Sequence, residues 1–143
     1  MTENEIIIKL LLACFFGGII GYLREKERKA AGLRTHIMVS MGAALFMLIS
    51  IYMSLMFAGA DASRIASSVV VGIGFIGAGA IIREGGTVRG LTTASSVWAA
   101  AAIGLALGCG MYMTAITATI LAFIILQVLS VVERKYIYPS RKQ

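Results

Sequence analysis

The chain has 143 residues, of which 59% are hydrophobic and 14% charged, with a mean hydropathy of +0.89. Soluble domains carry roughly 25% charged residues, so this composition leaves too little polar surface to coat a water-soluble fold. The net charge of +6 sits in short gaps between apolar runs, which excludes a nucleic-acid footprint and leaves the membrane as the partner that explains it.

A bilayer core about 30 Å thick is crossed by about 20 apolar residues in a helix. The first such run, 6–23, is interrupted only by Lys9 near its start, where a lysine can snorkel. It begins with acidic Glu3 and Glu5 and has no small-residue cleavage site, so it reads as a retained helix and not a secretory signal. The second run covers 37–59, the third 65–82, the fourth 91–107 and the fifth 111–132. The third and fourth are short and glycine-rich, and full spans are expected over a re-entrant pair. The fold class expected is therefore all-α, a single polytopic transmembrane domain over 1–143 with five spans.

Loop charges orient it. Arg24, Lys26, Arg28, Lys29 and Arg34 follow run one, Arg83 and Arg89 follow run three, and Arg134, Lys135, Arg141 and Lys142 follow run five. Positive charge stays cytoplasmic, so the N-terminus is expected outside and the C-terminus inside. Only Lys9 and Arg64 then lie toward the outer face.

Several residues invite a role. Gly17 and Gly21 form a GxxxG in run one, and Ser96, Ala100, Gly104 and Gly108 place a small residue at every fourth position of run four. Such stripes let helix backbones approach where lipid supplies no hydrophobic drive; they serve packing within the chain or the seam of a homodimer. Gly72, Gly74 and Gly77 match GxGxxG, but no soluble βαβ unit or acidic residue about 20 positions on accompanies them. With Gly79 they are expected to thin the third helix for close packing or for passage of something small.

The first basic segment is expected to prolong helix one, pairing Glu25 with Lys29 and stopping at Gly32. Lys26 to Lys29 read as a flank bound to lipid headgroups. Arg24, Arg34, Thr35 and His36 abut apolar runs at the headgroup boundary, and Arg24 is expected to find Glu25 or Glu84 as its partner. Thr92 and Thr93 are placed to cap the fourth helix. With Arg34, Arg83 and Arg89 around that N-terminus, an anion or phosphate site is the functional alternative to plain capping. Asp61 and Arg64 are expected to pair locally, Trp98 to pack, and Cys14 and Cys109 to act as small packing residues. Glu25, Asp61 and Glu84 are the candidate metal ligands, with Mg²⁺ the ion in question. No carboxylate lies mid-span, which weighs against a self-sufficient magnesium channel. No catalytic triad, zinc motif or P-loop is present, so an enzyme is not expected.

The order of Arg24-Glu25, Ala31-Gly32-Leu33-Arg34-Thr35-His36, Gly42-Ala43-Ala44-Leu45-Phe46, Arg64-Ile65-Ala66, the stretch from Val71 to Gly79, Val88-Arg89-Gly90-Leu91-Thr92-Thr93-Ala94, Trp98 and Ala102-Ile103-Gly104 resembles the MgtC/SapB family of bacterial inner-membrane proteins over nearly the entire chain. The resemblance implies a hydrophobic domain of four or five spans, which many members follow with a soluble cytoplasmic domain; this chain reads as the short form. It implies a link to growth in low magnesium and to survival inside macrophages. It also implies regulation more than transport, with inhibition of ATP synthase through intramembrane contact as one route. Some members carry Asn where this chain has Thr92 and Cys where it has Ala99, which separates it from the virulence-type activity if those side chains matter. The function expected is a small regulatory or interaction protein working by helix–helix contact. A transporter or channel for Mg²⁺ or a small anion is the alternative.

Overall fold

The computed structural model describes residues 2–84, 86–132 and 135, with the side chain of Glu84 left out. Among them are five helices: α1 (Glu3–Lys26), α2 (Leu33–Met56), α3 (Ser63–Gly79), α4 (Leu91–Gly108) and α5 (Tyr112–Ile124). The last continues as a π-helical turn, Ile125–Leu129, and a final α-helical piece, Ser130–Val132. Four helices are long and apolar enough to cross a membrane, and α3, at 17 residues, is shorter. Arg134, Arg141 and Lys142, which entered the charge count, lie outside the described residues.

Each helix forms where a run of good packers meets no proline, and the turns fall on the charged or glycine-rich gaps. α1 starts at Thr2, whose hydroxyl accepts from the Glu5 amide. It stops at Lys26, six residues before the glycine expected to end it, and Gly32 instead opens α2. The expected Glu25–Lys29 pair does not form. The Glu25 carboxylate reaches forward and accepts from the Leu33 N–H at 2.9 Å, capping an α2 N-terminus whose own N-cap has no side chain.

A two-stranded antiparallel hairpin joins α3 to α4: β1 (Ile82–Glu84) pairs with β2 (Thr87–Arg89), with Arg83 opposite Val88 and Ile82 opposite Arg89. The fold is all-α as expected, with this short hairpin as its one addition among the described residues, and the third helix ends at Gly79, short of Ile82. Gly90 closes the hairpin at φ +90°, and a Cβ there would meet the Ala80 carbonyl, so both backbone angle and space demand glycine.

α4 is the hub. One core cluster joins Ala13, Ile20, Ala44, Ile103, Leu107, Ala115 and Leu126 from α1, α2, α4 and the α5 column. A second joins Val39, Ala43, Ile73, Val97, Ala100 and Ala101 from α2, α3 and α4. The small residues do the fitting. A Cβ on Gly17 would lie 2.6 Å from the His36 carbonyl, and one on Gly21 2.8 Å from Leu33 Cα. A Cβ on Gly108 would lie 2.7 Å from Met47 Cβ, and one on Gly104 would meet the Ser40 carbonyl. All four glycines therefore hold α1 and α4 against the backbone of α2, where close van der Waals contact replaces the hydrophobic drive that lipid cannot supply.

The third helix is different. Only Ile73 and Gly77 of α3 are buried. Gly77 faces Ala94, whereas a Cβ on Gly72, Gly74 or Gly79 would meet open space. The expectation that these glycines serve close packing holds within this chain only for Gly77. α3 nevertheless connects the two ends of the bundle. The Ser50 hydroxyl of α2 bonds the Ala62 carbonyl at one end, and Gly77 meets Ala94 near the start of α4 at the other.

Asp61 does not pair with Arg64 as an ion bridge. Its carboxylate accepts from the Ser63 N–H and hydroxyl, both at 2.8 Å, which secures the entry to α3. These bonds favour the ionised form and hold the carboxyl below its ordinary value of 3.8, with Arg64 adding a smaller pull. A depressed folded-state pKa contributes stability above the unfolded value and loses it as pH falls through the folded one. Asp61→Asn is therefore expected to be slightly less stable at neutral pH and to converge with the parent below pH 3.8; thermal melts in detergent across that range measure it.

Candidate functional site

The described charges separate by end. Arg24, Lys26, Arg28, Lys29, Arg34, Arg83 and Arg89 gather where α1 ends, α2 begins and the hairpin meets α4; Lys9 and Arg64 belong to the opposite end. Two of these cations are buried. Lys9 is turned inward instead of snorkelling: its ammonium donates to the Gly108 carbonyl at 3.3 Å, with Glu5 at 3.6 Å. A cation at the C-terminus of α4 meets the negative end of that helix.

Arg24 is 3% exposed. It donates from Nη2 to the Thr93 hydroxyl at 2.8 Å, and its Nη1 lies 3.5 Å from Glu27. Its carboxylate partner is Glu27 and not the expected Glu25, while the side chain of Glu84, the other expected partner, lies outside what the structure describes. Thr93 accepts its bond in place of capping α4, whose N-cap is Gly90 without a side-chain bond. The guanidinium sits at the positive end of α4, an unfavourable polarity, so the Glu27 carboxylate is the compensating charge.

His36, in the first turn of α2, is fully buried within the bundle. Its Nδ1 lies 2.8 Å from the Gly32 carbonyl and its Nε2 3.0 Å from the Ser96 hydroxyl. A carbonyl only accepts, so Nδ1 carries a hydrogen. The Ser96 hydroxyl stands between two acceptors, His36 Nε2 and the Thr93 carbonyl at 2.8 Å. Arg24, Thr93, Ser96 and His36 thus form one chain of polar contacts across α1, α4 and α2. Arg24 Nε and Ser40 Oγ are buried beside it without a partner among the described residues.

The remaining candidates do not join them. Arg34, Thr92, Arg83 and Arg89 are exposed and Thr35 is half-buried. The hairpin register puts Arg83 and Arg89 on opposite faces, because facing residues share a face and neighbours alternate. The anion site offered as the alternative to plain capping would therefore have to form without Arg83 and Arg89 on one face of the hairpin. Glu25 and Asp61 lie at opposite ends and cannot share a cation, and among the described residues no three His, Cys, Asp or Glu side chains come together. Trp98 faces outward, half exposed, and Cys109 is exposed while Cys14 is partly buried, so Trp98 and Cys109 are not the packing residues they were taken for. Ser96 as a polar partner and Ser40 as a buried hydroxyl were not foreseen. Their clue was position: Ser96 lies one turn from Thr93, and Ser40 one turn from His36.

The MgtC family model matches residues 10–135. This chain belongs to the MgtC family. It is 46% identical over 129 residues to the Escherichia coli K12 protein named "Putative magnesium transporter YhiD", covering 87% of this chain and 60% of that one. It is also 46% identical over 115 residues to Protein MgtC of Salmonella typhimurium, covering 80% and 48%. Protein MgtC of Brucella abortus is 44% identical over 108 residues, covering 76% and 44%. The chain spans about half the length of the curated relatives it matches. No solved structure matches. The family match begins within α1 and runs past α5.

Proposed function

We propose that this MgtC-family domain is a regulatory and interaction protein of the bacterial inner membrane, tied to magnesium homeostasis and working by helix–helix contact inside the bilayer. The observation that carries this reading is the unequal use of small residues. Gly17, Gly21, Gly104 and Gly108 are filled by α2, while Gly72, Gly74 and Gly79 of α3 are left open. Beside them a groove of about 490 Å³ runs between α2 and α3, with Gly42 and Phe46 on one wall and Gly72 and Ile76 on the other. Phe75, 86% exposed, stands on the same helix. Gly72 and Gly79, seven residues apart, share a face of α3 that Gly74 does not, and a small-residue face bordered by large apolar side chains is what a transmembrane helix needs in order to approach closely. The basic end faces the cytoplasm in this reading, and no catalysis is involved. The first partner to test is ATP synthase, which the family resemblance implies, and a second copy of this chain is the next.

A photo-crosslinker at position 75, activated in native membranes, is expected to capture that partner. Gly72→Leu adds a side chain in open space and replaces a poor helix former, so the fold is expected to hold or gain up to about 1 kcal/mol. The same substitution is expected to abolish the crosslink and growth support in low magnesium. Recovery of uncrosslinked monomer alone would overturn the proposal.

The second reading is transport, favoured by the name of the Escherichia coli relative. Purified protein in liposomes that moves Mg²⁺ above the leak of empty vesicles, with the movement removed by Arg89→Ala, would replace the contact reading.

A further inference from the structure

At the basic end a second, polar cavity of about 330 Å³ opens between the end of α1 and the π-helical turn of α5, lined by Lys26, Glu27, Lys29, Gln127, Ser130 and Val131. Three features give it a chemical character. Lys26 and Lys29 have no carboxylate within ion-pair distance among the described residues. The carboxylate nearest to them in sequence, Glu27, is drawn toward the buried Arg24 at 3.5 Å. The Gln127 side-chain amide makes no hydrogen bond among the described residues, although it lies on a helix whose neighbours Val128, Leu129 and Val131 are exposed apolar side chains.

The local backbone accounts for the opening. In Ile125–Leu129 the helix widens to a π turn, and such turns are inserted where a helix must re-aim a side chain and are frequent at functional sites. Beyond it, the Ser130 N–H and hydroxyl both bond the Gln127 carbonyl, fixing the wall. Among the described residues the cavity therefore offers two ammonium groups and an amide N–H₂ against one carboxylate already engaged, the Ser130 hydroxyl being spent on the Gln127 carbonyl. Its rim passes from apolar side chains to charge within one helical turn, the transition that marks the headgroup layer.

We propose that this cavity binds a phosphate group, presented by an anionic lipid headgroup. Ammonium donors and an amide suit the oxygens of a phosphate, and each lysine near an anionic surface contributes about a fivefold gain in binding. Because the amide sits in the wall, the site differs from a diffuse basic flank, which neutralisation of any nearby cation would weaken equally.

The test is native mass spectrometry of the full chain in detergent, titrated with phosphatidylglycerol or phosphatidylcholine. Phosphatidylglycerol is expected to be retained preferentially. The double variant Lys26→Gln, Lys29→Gln is expected to lose about 25-fold in retention, and Gln127→Leu about tenfold, the value of a hydrogen bond to a charged group. Arg28→Gln, which does not line the cavity, is expected to change retention less than about twofold. Should Gln127→Leu fail to elute as folded protein, Gln127→Ala replaces it. Displacement of lipid by millimolar inorganic phosphate would support the site with free phosphate as a sufficient ligand; its failure to displace would support the lipid as the source. Equal retention of the two lipids, equal losses in Arg28→Gln and the lysine variants, or full retention in both Gln127 variants would overturn the proposal.

Discussion

Gly104→Leu is expected to cost about 3 kcal/mol or more of stability, enough to leave little folded protein in detergent. The reason is that the obstacle is backbone. A Cβ at position 104 would meet the Ser40 carbonyl, with Ala43 Cβ 3.0 Å away on the other side. No rotamer relieves this, because the clash begins at the first side-chain atom, before any rotatable bond. Relief requires α4 and α2 to separate, and that separation would also open the contacts at Gly108 and the bond between His36 and Ser96. Gly104→Ala already requires the shift and is expected to fall between parent and leucine. Reversible unfolding in mixed micelles, compared with Gly72→Leu as the open-space control, measures the difference. Equal stability of the two leucine variants would refute the packing argument.

Arg24→Ala carries the second large effect, a loss of about 3 kcal/mol, the lower end of the range for breaking a buried ion pair from one side. The variant strands the Thr93 hydroxyl and leaves Glu27 without its inner partner. Arg24→Lys is expected to recover less than half of that loss, since one ammonium cannot span both the hydroxyl and the carboxylate as the guanidinium fork does. Arg34→Ala and Arg89→Ala, both exposed, are expected to stay within about 0.5 kcal/mol of the parent. If those two abolish activity while remaining folded, they act directly on a ligand or partner. Loss of activity in Arg24→Ala would instead follow its loss of fold, and unchanged stability in that variant would refute the clamp.

The spans were legible because they depend on local composition: five apolar runs separated by charged or glycine-rich gaps become five helices. The small-residue stripes of α1 and α4 were legible for a similar reason, since four-residue spacing places them on one helix face whatever lies opposite. What escaped the sequence depends on partners far along the chain. Glu25 bonds Leu33 instead of Lys29 because the chain turns back at Gly32 and brings the α2 amides within reach. Arg24 prefers Glu27 and Thr93 because α4 packs beside α1. Trp98 faces lipid because Ser96, Val97, Ala100 and Ala101 occupy the buried face of α4. The hairpin and the π turn were invisible for a different reason: each is a departure from the regular ladder that only neighbouring elements impose.

Lys9 and Arg24 are fifteen residues apart on α1, and so are Gly108 and Thr93, their partners on the antiparallel α4. The two bonds are therefore rungs about 22 Å apart, and they lock the pair against piston-like sliding. A slip of one turn would break both at once and leave each cation with only the carboxylate of its own helix segment, Glu5 or Glu27. The frame of α1, α2 and α4 is stiff along its long axis for that reason. α3, with two buried residues and a hairpin at its end, has no such rung to α1. α3 and α5, each with two buried residues, are the helices less tightly held to that frame, and a spectroscopic distance between α1 and α4 is expected to stay constant where one to α3 changes.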